Sequence, residues 1–92
     1  MTEEEKNLFN EIEKRGVNVT EPTWEKCRSW LNQHDCKINV LSDYPKGEIK
    51  FTVRRGFERI EISGHSDLEV MARAILEITH REMIDKKELE YA

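Results

Sequence analysis

Two thiols and an imidazole, Cys27, His34 and Cys36, fall within ten positions of one another and are the first residues to weigh for chemistry. Their C-x6-H-x-C spacing supplies three zinc ligands. Structural zinc sites normally show paired close spacings and a fourth ligand, and His65 and His80 lie too far along the chain to complete this set. A nucleophilic cysteine needs a base and an electropositive setting. Lys26 and Arg28 flank Cys27 but point away from it on a helix, and Cys36 points inward on strand alternation. No G-x-S-x-G, P-loop, G-x-G-x-x-G or H-E-x-x-H pattern occurs. Carboxylates are plentiful, yet none adjoins a recognisable apolar pocket. The expectation is a protein without catalysis, metal or cofactor, in which the two cysteines are buried free thiols and His65 and His80 are solvated.

A different concentration of chemistry stands at residues 53–59, VRRGFER, where three arginines surround one glycine. Two readings compete. Charge at strand edges and turns discourages strand-to-strand aggregation, and Lys50 paired across strands with Glu61 would offset part of the field. Alternatively, Lys50, Arg54, Arg55 and Arg59, with Phe57 among them, form a contact face for an acidic protein surface, or for phosphates with a base stacked on the ring.

The chain around this cluster is acidic. It has 92 residues, of which 37% are charged and 37% hydrophobic, and a net charge of −4. Residues 46–59 carry a net +3, and everything outside them sums to −7. Loose attachment to nucleic acid is driven by phosphate electrostatics, and an acidic body works against it. The length suits one domain. No apolar run is long enough to span a membrane, and MTEEEKN lacks the basic and apolar segments of a signal peptide. A reducing cytoplasm is the expected location.

Hydrophobic periodicity supplies the elements. An N-terminal helix over 2–15 carries a Thr2/Glu5 capping box, with Glu3, Glu4 and Glu5 at the favourable end of the helix dipole. Gly16 is its stop, with Val17 folding back on Ile12. Its apolar stripe of Leu8, Phe9 and Ile12 is narrow, so it packs on the domain or awaits a partner; an undocked first helix would imply a homodimer. Pro22 opens a second helix in its first turn. Trp24, Cys27 and Leu31 share its inner face, and Trp30, about 60° away, covers the core edge or anchors an interface. Strands follow at 36–42 and 48–54, separated by the turn residues DYPKG (43–47). An Arg55–Gly56 loop sets Phe51 against Ile60 and Ile49 against Ile62 on one face. Lys50, Thr52, Arg54, Phe57 and Arg59 then share the other. SDLE (66–69) caps a last helix that packs as far as Arg81. Glu69, Arg73, Glu77 and Arg81 form an outer charge ladder on it, and 82–92 is a tail, loosely helical or frayed. The fold class is α+β, in the order α-α-β-β-β-α, with helices on one face of a three-stranded antiparallel sheet.

From Pro22 to Arg81 the order α-β-β-β-α resembles the double-stranded-RNA-binding domain. The run KFTVRRGFERIEISGHSDLEVMARAILEI has a similar cadence of two strands, a glycine and serine, and an alanine-containing helix. The resemblance implies the fold of that core. The lysines that open the family's closing helix are replaced by Asp67, Leu68 and Glu69.

Two functional expectations follow. The first is a small interaction protein, of the kind found among inhibitors and adaptors including those of phages and mobile elements. It would dock on a larger protein or nucleoprotein complex, either through the basic hairpin face with Trp30 as a further anchor, or through Glu3, Glu4 and Glu5. The second is RNA or DNA binding through the hairpin.

Overall fold

The computed structural model describes residues 1–41 and 47–91. Three helices and three strands follow one another as α1 (Glu3–Lys14), α2 (Trp24–Gln33), β1 (Cys36–Leu41), β2 (Ile49–Arg55), β3 (Glu58–Gly64) and α3 (Asp67–Tyr91). The sheet is antiparallel in the order β1-β2-β3, and the helices pack on one of its faces. The architecture is the α+β arrangement expected from the periodicity. Of the expected turn at 43–47, only Gly47 is among the described residues.

Helix α1 begins where the Thr2 hydroxyl accepts from Glu5 N–H at 3.2 Å. It ends in a Schellman closure, with Gly16 at φ +85°. There Gly16 N–H donates to Glu13 and Val17 N–H to Ile12. The narrow stripe does find a place within its own domain. Ile12 is buried, and α1 lies along α3 in the same direction. Ser66 Oγ donates to Glu5 near the start of both helices. Arg15 donates to Leu76 O and Thr79 Oγ1 further along. The premise for an expected homodimer is therefore absent.

Helix α2 departs from the expected start. Its N-cap is Thr23, whose hydroxyl accepts from Lys26 N–H at 3.2 Å, so Pro22 stands just outside the helix rather than in its first turn. A threonine oxygen can satisfy an orphan amide and a proline cannot, which puts the boundary after the proline. The helix ends at Gln33, and Asp35 takes a left-handed φ of +61° to reverse the chain into β1. Trp24 reaches under the sheet and meets the Phe51 ring edge-on at 6.4 Å.

In the hairpin the face assignment holds but the pairing is shifted. Phe51 faces Ile62, Val53 faces Ile60 and Ile49 faces Gly64. The two-residue turn is Gly56–Phe57, with Arg55 opposite Glu58. Gly56 has φ +60°, whereas Phe57 is not in the positive region. That is the pattern of a II′ turn, which takes glycine at its first central position and matches the twist of the strands. The shift also changes an expected pair: Lys50 lies opposite Ser63, and Glu61 lies opposite Thr52.

Helix α3 runs without a break for 25 residues, roughly 37 Å at ~1.5 Å per residue. Its first half supplies Val70, Met71, Ala74, Ile75 and Ile78 to the core over Phe51 and Val53. Gly64 lies close against its first turn. A Cβ there would stand 2.9 Å from Val70 Cγ1. Two expectations about this helix are corrected. Glu69 is not on the outside: it is 5% exposed, accepting from His65 N–H at 2.9 Å and from Arg73. The helix also continues past Arg81 instead of ending its contacts there. Glu82, which periodicity turns toward the apolar side, meets His34 Nδ1 at 2.6 Å, and Asp85 pairs with Arg55.

Candidate docking face

The face of the sheet turned away from the helices is built from every second residue of the three strands. Strand register places its residues in rows. Nearest the hairpin turn is Lys37–Arg54–Arg59, each directly opposite the next. The second row is Asn39–Thr52–Glu61. In the third, Lys50 lies opposite Ser63.

The first row sets three cations side by side. Directly opposed side chains of like charge destabilise a strand pair by a few tenths to about 1 kcal/mol. Arg54, Arg59 and Lys37 are all exposed, and none of the three has an ion-pair partner among the described residues. The acid next to Arg59 in sequence is engaged elsewhere. Glu58, at the turn, has its carboxylate 2.7 Å from Arg81 on the helix side. Phe57 projects from the turn fully exposed.

Arg55 does not join this face. It follows Val53 in the inward parity of β2 and pairs with Asp85 of α3. The hydrogen bond to that carboxylate holds the guanidinium pKa above its usual value, with burial opposing. The side chain is thus a strut rather than a contact. Together, Arg55–Asp85 and Glu58–Arg81 tie the hairpin end to α3 from within. Both pairs lie on the helix side, and the strand register leaves Arg54 and Arg59 facing outward. Lys37 belongs to the row although hairpin reasoning does not find it. Its outward parity is legible in β1, but its neighbours depend on pairing across the segment 42–46.

The residues of the other expected surfaces are dispersed. Glu5 is 6% exposed and bonded to Ser66, Glu4 pairs with Arg73 at 2.7 Å, and Glu3 alone stands in solvent without a bond among the described residues. The acidic triplet is therefore largely spent on joining α1 to α3. Trp30 is half-buried and stacks on His34, centroids 3.8 Å apart. It forms one wall of an open groove of ≈ 490 Å³ with Val17, Thr79 and Met83.

The cysteines are not poised for reaction. Burial pushes the Cys27 thiol up to about 11. Burial also raises Cys36, with Arg55 opposing. Cys36 donates to His34 O, and both thiols are free. Among the described residues no group of three His, Cys, Asp or Glu side chains is placed to hold a metal ion, and no helix is long and apolar enough to cross a membrane. Comparison with protein-family models, curated proteins and solved structures finds no match.

Proposed function

We propose that this chain is a non-enzymatic docking module that seats its open sheet face on an acidic surface of a larger protein, as an inhibitor or adaptor does. The observation that carries the reading is the Lys37–Arg54–Arg59 row. Three directly opposed cations cost stability in the free chain, and a partner's carboxylates would turn that cost into attraction. The acidic remainder of the molecule favours a compact, charge-matched protein surface over an extended polyanion, which would repel the body of the chain along most of its length. Burial of both thiols supports a role without nucleophilic chemistry.

A second reading has one observation in its favour. Phe57 is fully exposed beside the row and suits base stacking. In that reading the chain is a degenerate relative of the double-stranded-RNA-binding domain that meets nucleic acid through the hairpin. The opening turn of α3 could take no part, because Asp67, buried Glu69 and the Glu5–Ser66 bond occupy it.

The test is capture from extract of the native host, with and without nuclease, using the chain beside its Arg54→Glu/Arg59→Glu variant. A nuclease-resistant protein partner lost in the variant is the expected result. Recovery of nucleic acid alone selects the second reading. A protein partner retained by the variant moves the interface to Trp30 or Glu3.

A further inference from the structure

Thr52 lies on the solvent-facing side of β2, yet it is only 4% exposed. Its hydroxyl has no hydrogen bond among the described residues. That hydroxyl is not sealed in the interior: it keeps access to solvent and so is free to meet a ligand from the open face. Thr52 lines a shallow cleft of ≈ 270 Å³ whose other walls are Asn39, Arg54 and Arg59. Residues bearing an amide, a hydroxyl and two guanidinium groups therefore line it from three strands. Among the described residues the one acid in register with the cleft is the exposed Glu61, opposite Thr52 and outside the lining. Arg54 and Arg59 stand directly opposite each other, so their Cβ atoms lie about 4.5–5.5 Å apart. At that spacing one oxyanion can bridge both guanidinium groups, as bidentate arginine–carboxylate pairs do.

We infer that this cleft is the anchor of the docking face and receives a single carboxylate side chain, glutamate or aspartate, from an acidic segment of the partner protein. The inference rests on the docking reading and adds its central contact. Arg54 and Arg59 hold the carboxylate, and Thr52 Oγ1 donates to it from the cleft floor. The Asn39 amide donates from the β1 side, and Lys37 adds charge at the rim. The hydroxyl separates this from a merely positive surface: it can contribute only to an anion that enters the cleft.

The test titrates an N-acetylated hexaglutamate peptide at low salt into the full chain and follows its backbone amide resonances. Wild type should shift at Asn39, Thr52, Arg54 and Arg59. Thr52→Val, which keeps the shape and removes the donor, should weaken binding about tenfold, the usual loss for a hydrogen bond to a charged group. Thr52→Ser should bind as wild type, which guards against a packing defect in the valine variant. Arg54→Gln/Arg59→Gln should abolish the shifts. Equal binding by wild type and Thr52→Val would overturn the anchor and leave a diffuse electrostatic face. Absence of peptide binding here, with capture from extract still sensitive to Arg54 and Arg59, would overturn the anchor while sparing the docking reading. Capture insensitive to both arginines would instead remove the docking reading itself. A 12-nucleotide single strand that displaces the peptide and binds more tightly would overturn the carboxylate assignment in favour of phosphate.

Discussion

At Glu69, burial works to raise the carboxyl pKa while His65 N–H and the Arg73 guanidinium work to lower it, and the net shift is downward. A folded-state pKa below the unfolded value means that the ionised form stabilises the fold. That contribution is complete above the ordinary value of 4.5 and is lost as pH falls through the lower folded value. Glu69→Gln should therefore cost about 1–3 kcal/mol at neutral pH, and the gap from wild type should narrow progressively below pH 4.5. Urea midpoints across that range decide the point; a constant gap would assign Glu69 to packing alone. The thiols make a second test at this scale. With Cys27 raised to about 11 and both cysteines buried, a disulfide-exchange reagent at pH 8 should label neither in the native chain and both in urea.

Single side chains also show where reading from sequence stops. Cys27, Leu31, Phe51 and Ile75 declare their burial by periodicity, because each element has one apolar face. Glu82 breaks the period of α3, and the reason is His34, which is 48 positions away. Glu69 looks like one rung of an outer ladder by its spacing, although the SDLE cap turns its side chain back to the helix start, where it accepts from His65 N–H. The row behind the docking face was half legible. The outward parity of Arg54 and Arg59 follows from alternation, but Lys37 enters only through the β1–β2 register.

Among the elements, the hairpin depends on its glycines in two different ways. Gly56 at φ +60° occupies a region that costs an L-residue about 1–2 kcal/mol, so Gly56→Ala should destabilise by about that much. Parity reasoning yields an even loop and the right faces, and the II′ preference for a leading glycine then moves the turn by one residue, to Gly56–Phe57. Gly64 has an ordinary φ and is constrained by space instead. With Val70 Cγ1 2.9 Å from an added Cβ, Gly64→Ala must push α3 from the sheet end, a cost of about 1–3 kcal/mol. Thermal or urea denaturation checks both, and an unchanged midpoint for Gly64→Ala would show that Val70 repacks freely. The second half of α3 was expected to be loose because its apolar period lapses. It is held by polar bonds instead, His34–Glu82 and Arg55–Asp85, each of which joins it to a different element.

For the molecule as a whole, charge is segregated by layer. The α1–α3 junction consumes acids, through Glu4–Arg73 and Glu5–Ser66, while the open sheet face keeps the Lys37–Arg54–Arg59 row without described carboxylate partners. In the proposed docking role, a face arranged this way would trade stability of the free chain for attraction to a partner. Neutralising the row with Arg54→Thr/Arg59→Thr should leave the fold as stable as wild type or more so, by up to about 1 kcal/mol at low salt, with the gain shrinking as salt screens the repulsion. The most direct measurement is to capture the partner, under nuclease, with this neutral variant and wild type side by side, reading the urea midpoint on the same preparations. An undiminished midpoint with the partner lost is the predicted result. A folded variant that still holds the partner would contradict the assignment of this face.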